Sequence, residues 1–174
     1  LKKAFIQLHL SVMLAGFTGL FGKLVTLNET TLTWYRLVFT TMILLVFTGL
    51  PRIEFKKFLK IAGCGTLLGL HRILFYASIK ASNVSIGVVS FASICFFTSI
   101  FEPMILHKRF SIVDMLLALI TIVGLACIFS FDTRYRTGII IGVLSAAVCS
   151  LYAITNKTAC QDIKSRTALL YLMV

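Results

Sequence analysis

The chain has 174 residues, of which 59% are hydrophobic and only 13% charged, and its formal net charge is +11. A soluble domain is typically about 25% charged, so a single small globule could not cover this much apolar surface. The same composition excludes disordered, collagen-like and disulfide-framework chains, and it predicts an integral membrane protein.

Six apolar stretches are long enough to cross the hydrocarbon core of a bilayer, which takes about 20 helical residues. In chain order they are residues 4–27, 32–50, 58–79, 84–106, 111–131 and 137–158. A seventh begins near Thr167 and is cut off, so we expect the sequence to be part of a longer protein. Alternating segments of about ten residues, typical of barrel strands, are absent. The prediction is an all-α polytopic transmembrane helical bundle of six full spans and a truncated seventh.

The basic residues are spread unevenly over the connecting segments. Of the 17 Lys and Arg residues, eleven fall on the side of the N-terminus, three on the opposite side and three within spans. The eleven are Lys2, Lys3, Arg52, Lys56, Lys57, Lys60, Lys108, Arg109, Lys157, Lys164 and Arg166. Cytoplasmic loops carry the Lys and Arg excess, so the N-terminus is predicted to be cytoplasmic. Because the charge is dispersed, we expect no nucleic-acid partner, and membrane lipids become the expected contact of these residues.

An internal repeat connects the two ends of the sequence. Residues 149–157 align with residues 15–23, which places Lys157 over Lys23, and residues 168–171 then fall on residues 32–35. Five spans precede the second copy, so it enters the membrane with opposite polarity. Inverted repeats of this kind are typical of secondary transporters. We predict a first repeat at residues 1–136 and the beginning of a second at residues 137–174.

Several segments resemble the EamA-type repeat of the drug/metabolite transporter superfamily. They are GFTGLFGK at 16–23, LTWYRL at 32–37, LFYASIKASNVSIGVVS at 74–90, HKRFS at 107–111 and LITIVG at 119–124. The resemblance implies ten spans in two inverted five-helix repeats, of which this chain holds the first and the opening of the second. Lys108 stands where the family usually has Glu, and Cys95 or a neighbour stands where it commonly has Pro.

The resemblance also implies a function. It points to a secondary transporter that exports amino acids, other metabolites or drugs by alternating access, in a bacterial inner membrane, without enzymatic activity or cofactor. A substrate or proton gradient would drive it, since the sequence has no nucleotide-binding motif. One alternative is a small multidrug-resistance-like pump, which relies on an acid in its first span, where this chain has Lys23. The other is a non-transporting scaffold or membrane enzyme, and a homodimer stays open.

Three basic residues lie within predicted spans: Lys23, Arg36 and Arg72. Each costs roughly 2.5–3.5 kcal/mol at mid-membrane. In one interpretation their long side chains reach the outer interface. In the other interpretation they point into the bundle, where an anionic or zwitterionic small-molecule substrate neutralises their charges.

Span 3 carries three of the predicted substrate-binding residues. They are His71, Arg72 and Tyr76. Arg72 and Tyr76 are four positions apart, which puts them on one helix face. With Lys23 and Arg36, they form the predicted substrate-binding set.

Glu102 and Asp114 are the acids nearest to spans 4 and 5. Pro103 cannot donate to the Ser99 carbonyl, so a bend or frayed last turn is expected after Glu102. Glu102 is either an interfacial carboxylate close to Lys108 or Arg109, or a proton- or cation-coupling residue. Asp114 is predicted to begin span 5, where a carboxylate stabilises the helix dipole.

Small residues recur every four positions along span 6, at Gly138, Gly142, Ala146 and Ser150. This spacing predicts close helix packing, with the lining of a narrow substrate cavity as the alternative.

The five cysteines form no C-x-x-C pair and the three histidines lie far apart, so no metal site and no catalytic site is predicted.

Overall fold

The computed structural model describes residues 2–49, 53–129, 135–160 and 165–173, and no strand occurs among them. The helices are α1 (Lys2–Leu24), α2 (Glu29–Thr48), α3 (Phe55–Ala81), α4 (Val84–Phe91), α5 (Ile94–Leu106), α6 (Ile112–Phe129), α7 (Arg136–Ala159) and α8 (Ser165–Met173). The all-α prediction is therefore confirmed for these residues. Parts of the predicted connecting segments lie outside the described ranges, at residues 50–52, 130–134 and 161–164. The predicted positions of the basic residues in these parts are therefore not tested.

Within the described ranges, five stretches are long and apolar enough to cross a membrane. They are Phe5–Leu24, Glu29–Phe47, Phe55–Ala81, Val84–Leu106 and Arg136–Ala159. The predicted span at 111–131 corresponds to α6, whose apolar stretch, Ile112–Cys127, is shorter than the other five. Helix α8 supplies nine residues of the predicted seventh span. The structure thus gives five candidate spans where the sequence predicted six full ones.

Large apolar side chains cover the outside of the bundle. Val46 on α2 is 82% exposed, Ile112 on α6 is 74% exposed and Phe5 on α1 is 64% exposed. A soluble protein rarely exposes contiguous apolar surface on this scale, whereas hydrocarbon solvates such side chains well. The exposed faces are those expected of a bundle surrounded by lipid.

Helices α3 and α7 form the most extensive contact in the bundle, and small residues allow it. A Cβ on Gly138 would lie 2.5 Å from the Cβ of Ser82, just after α3, and a Cβ on Gly142 would lie 2.8 Å from Ser78 Oγ. The four positions predicted to pack are all buried: Gly138, Gly142, Ala146 and Ser150. The packing interpretation of this stripe is confirmed, because only small side chains fit where the backbones approach this closely.

The fourth predicted span is interrupted in its middle. Helix α4 ends at Phe91 and α5 begins at Ile94. Between them, the N–H groups of Ala92 and Ser93 bond to carbonyls three residues earlier, at 3.1 and 3.2 Å, which is the tighter 3₁₀ pattern. The chain breaks its helix here without a proline, close to the position where the related family commonly has one.

Of the bend or frayed last turn expected after Glu102 in α5, the frayed turn does not occur, and the bend stays a prediction. The helix continues through Pro103 to Leu106 and is closed by His107, which has a left-handed backbone with φ of 51°. The Lys108 N–H then donates to the Pro103 carbonyl at 3.1 Å. Because Pro103 removes only one donor near the helix end, the helix does not fray there.

Side-chain caps start two of the helices. Asn83 Oδ1 accepts a hydrogen bond from the Ile86 N–H at 2.8 Å, which begins α4 directly after α3. Ser111 Oγ accepts from the Asp114 N–H at 3.3 Å at the start of α6. Asp114 lies in the first turn of α6, as the sequence predicted.

Candidate substrate site

Arg36 and Tyr76 meet where α2 packs against α3. Arg36 Nη1 donates a hydrogen bond to the Tyr76 hydroxyl, and the Arg36 guanidinium carbon lies 5.8 Å from the centre of the Tyr76 ring. Tyr76 is only 1% exposed. This hydrogen bond joins α2 to α3 at a place where the Tyr76 ring is shielded from solvent.

A cavity of about 580 Å³ opens beside this pair, between α1, α2 and α3. Its lining residues are Leu14, Phe17, Thr18, Gly22, Val25, Leu32, Arg36 and Tyr76. Gly22 makes room for the ring, since a Cβ there would lie 2.5 Å from Tyr76 Cε1. The volume falls within the range of about 300–1,000 Å³ typical of small-molecule sites, and few polar groups interrupt its apolar wall.

Arg72 carries an unsatisfied donor inside the bundle. Its Nε is buried and has no hydrogen-bond partner among the described residues. The Arg72 guanidinium lies near Arg36 on α2 and near Tyr152 and Cys149 on α7. In the described part of the chain, no carboxylate lies within 4.0 Å of either arginine. The two guanidinium groups therefore form a cationic region without a counter-ion.

His71 joins α3 to α7 and α4. Ser145 Oγ donates to the His71 carbonyl at 3.0 Å, while His71 Nδ1 lies 2.9 Å from Ser145 Oγ and 3.2 Å from the Ser145 carbonyl oxygen. The His71 ring also stacks on Phe91 at the end of α4, with ring centres 5.1 Å apart. His71 thus lies at a three-helix junction, one position from Arg72.

The structure does not bring Lys23 into this group. Its side chain is exposed in the last turn of α1, whereas those of His71 and Arg72 are half-buried, although none of the three lines the cavity. It forms no ion pair with a described residue. A role for Lys23 in substrate binding stays a prediction.

Two acids, the predicted Glu102 and also Glu29, form ion pairs near helix ends. Glu102 Oε1 accepts from Lys108 Nζ at 3.1 Å and from Lys157 Nζ at 3.2 Å, which ties α5 to the end of α7. Glu29 pairs with Lys80 at 3.6 Å. The Lys108 contact was expected for an interfacial carboxylate, whereas the Lys157 contact was not. The coupling role of Glu102 stays a prediction.

Three residues of α7 lie near His71 and Arg72 but were not predicted from the sequence: Ser145, Cys149 and Tyr152. They are spaced by four and then three positions, so they lie on one face of the helix. Polar or polarisable residues at this interval in an otherwise apolar span were the signal that could have identified them. Among the described residues, no group of three or more His, Cys, Asp or Glu could hold a metal ion.

Comparison with known proteins indicates the family of this chain. The model of the EamA-like transporter family matches residues 2–130, which include α1 to α6 and all the predicted site residues. Curated proteins and solved structures give no significant match. The matched region covers well over half of the chain, and its helices are apolar enough to cross a membrane repeatedly. The chain therefore belongs to the EamA-like transporter family, the multi-pass membrane transporters of the drug/metabolite superfamily.

Proposed function

We propose that the protein is a secondary transporter that exports a small anionic or zwitterionic metabolite. In this proposal Arg36, His71, Arg72 and Tyr76 bind the substrate within the membrane. The family supplies the class of protein, and the chemistry of these four side chains supports the class of substrate.

The buried Nε of Arg72 is the observation that carries the proposal. A buried donor without an acceptor costs about 1–3 kcal/mol, and a charged group costs more. A carboxylate or phosphate accepts from a guanidinium with two parallel hydrogen bonds, so an anionic group on the substrate would remove this cost. The absence of a described carboxylate within 4.0 Å favours an acceptor that arrives with the substrate.

Arg36 and Tyr76 would hold the rest of the substrate. A guanidinium has five N–H donors, and the hydrogen bond to Tyr76 uses only one nitrogen of Arg36. The Tyr76 hydroxyl accepts from Arg36 and still has a proton to donate. Both groups border the apolar cavity between α1, α2 and α3, which suits a ligand with one charged end and an apolar remainder.

Alternating access would arise from movement of the second repeat against the first. The predicted second repeat begins with α7, which packs against α3, α4 and α5. The interruption of span 4 between Phe91 and Ile94 lies beside α7 and supports bending at that point. Any shift of α7 would pull on Ser145 and so on His71, next to Arg72. The basic excess on the N-terminal side supports a cytoplasmic N-terminus.

The test is flux through the full-length protein in proteoliposomes. Radiolabelled glutamate, leucine, glycerol phosphate and choline would serve as probes, with and without a proton gradient. We expect an anionic or zwitterionic probe to move. Arg72→Ala should abolish this flux and Arg72→Lys should restore it only in part, because an ammonium keeps the charge but not the planar fork.

The matched control is Arg136→Ala, which removes an exposed arginine at the start of α7. This variant should transport at the wild-type rate. An undiminished rate in a folded Arg72→Ala variant would overturn the proposed site. If no probe moved under any gradient, the result would contradict a transport function and favour the scaffold alternative.

A further inference from the structure

A second cavity lies between α5 and α6. Its volume is about 630 Å³, and none of its lining residues belongs to the Arg36–Tyr76 cavity. Ile94, Leu117 and Ala118 give it an apolar part, and Thr98 and Ser99 add hydroxyl groups. Charged side chains line the part nearest the turn between the two helices: Glu102, Lys108, Arg109 and Asp114. A cavity that is apolar at one end and charged at the other suits an amphiphile.

The charges at this end are only partly neutralised by the protein. Glu102 already accepts from Lys108 and Lys157. Arg109 and Asp114 form no ion pair within 4.0 Å with any residue of the described ranges. The cavity therefore offers one free cation and one free carboxylate, which is the complement of a zwitterion with separate anionic and cationic groups.

The position of these charges corresponds to the headgroup region of a bilayer. Arg109 lies between the end of α5 at Leu106 and the start of α6 at Ile112. Charged residues at the ends of spans lie where lipid headgroups and water begin. Below this level α6 exposes Val113 and Leu117 by 66% and 59%, so the cavity continues into an apolar face accessible to acyl chains.

We propose that this cavity binds an aminophospholipid of the phosphatidylethanolamine class. Its phosphate would bind Arg109, its primary ammonium would bind Asp114, and one acyl chain would lie against Leu117. Phosphatidylcholine has no N–H to donate to Asp114. Phosphatidylglycerol has no cation, so it would leave Asp114 unpaired and add a negative charge beside it. The proposal concerns a site separate from the transported substrate and does not depend on that substrate's identity.

The experiment measures lipid binding to the full-length protein by native mass spectrometry. Phosphatidylethanolamine, phosphatidylcholine and phosphatidylglycerol with identical acyl chains would be added to the delipidated protein in detergent. We expect phosphatidylethanolamine to bind about tenfold more tightly than the other two, which corresponds to one charge-assisted hydrogen bond. Asp114→Asn should remove this preference, and Asp114→Glu should restore it. Arg109→Ala should weaken the binding of all three lipids, because each has a phosphate.

The matched control is Glu54→Gln, which removes an exposed carboxylate paired with Lys57 at the start of α3. It should leave the preference unchanged, and the unfolding temperature of every variant would verify folding. Equal binding of the three lipids would overturn the proposal, as would an unchanged preference in Asp114→Asn. Full competition by soluble phosphoethanolamine at equal concentration would also overturn it, since the site would then belong to a soluble ligand.

Discussion

His71 and Ser145 hold each other in reciprocal hydrogen bonds across the contact between α3 and α7. Ser145 Oγ donates its single proton to the His71 carbonyl at 3.0 Å, and the Ser145 carbonyl, 3.2 Å from His71 Nδ1, can only accept. His71 Nδ1 must therefore carry a proton and donate to Ser145. The other ring nitrogen, Nε2, is then the one left for a ligand or for water.

This arrangement predicts the tautomer of His71 and the effect of Ser145→Ala. Nitrogen-15 NMR should show a protonated Nδ1 in the wild-type protein. Removing the Ser145 hydroxyl should lower the free energy of unfolding by about 1 kcal/mol, the usual value of one hydrogen bond between membrane helices. Ser11→Ala, which removes an exposed hydroxyl bonded within α1, is the control and should change stability less. A protonated Nε2 with an unprotonated Nδ1 would contradict the geometry.

The contact of Gly22 with Tyr76 predicts a sharp difference between two glycines of α1. A Cβ at Gly22 would lie 2.5 and 2.6 Å from two carbons of the Tyr76 ring, which is buried and hydrogen bonded to Arg36. Gly22→Ala should displace the ring, lower the free energy of unfolding by about 1–3 kcal/mol and reduce transport. Gly16→Ala is the matched control, because nothing lies within 4 Å of its Cβ position. Thermal unfolding and proteoliposome flux would measure both, and equal stability of the two variants would contradict the contact.

The close approach of α7 to α3 and α4 predicts different effects on stability for alanine at Gly142 and at Gly124. A Cβ at Gly142 would lie 2.6 Å from Ser90 Cβ and 2.8 Å from Ser78 Oγ. Gly142→Ala should therefore separate the helices and cost about 1–3 kcal/mol of unfolding free energy. Gly124→Ala on α6 has no atom within 4 Å and should be neutral or slightly stabilising, since Ala favours helix more than Gly. Chemical denaturation in detergent would check the pair, and a stable Gly142→Ala variant would show that the helices are not this close.

The contacts of Glu102 predict how a coupling role would act. Protonation would neutralise the carboxylate and break the ties of α5 to Lys108 and to Lys157 on α7. Glu102→Gln should abolish transport driven by a proton gradient and leave exchange driven by substrate alone. Because the Glu102 side chain is 30% exposed, the stability change should stay within about 1 kcal/mol.

Glu54→Gln is the control for this prediction, since Glu54 also pairs with a lysine, Lys57, at 3.4 Å outside the candidate site. Proteoliposome flux with and without an imposed proton gradient separates the two components. An unchanged response of Glu102→Gln to the proton gradient would assign Glu102 a purely interfacial role.

Composition and apolar length predicted the all-α fold class, and short segments of the sequence indicated the family. Apolar length and composition require helices in lipid, because every backbone group there must be bonded within its own segment. Local spacing also determined the packing stripe of α7 and the position of Asp114 in the first turn of α6, since both follow from the helical repeat. The repeat at residues 137–174 stays a prediction.

The contacts between distant side chains are visible only in the packed bundle. Arg36 and Tyr76 are 40 positions apart and His71 and Ser145 are 74 apart, so no local pattern connects them. Lys23 and Arg36 looked equivalent in the sequence, yet Lys23 is exposed and Arg36 is bonded in the bundle. The break of span 4 also has no local cause in a proline, and it lies where α7 packs closely. Such contacts depend on helix rotation and approach, which the packing of several helices sets together and which no single segment encodes.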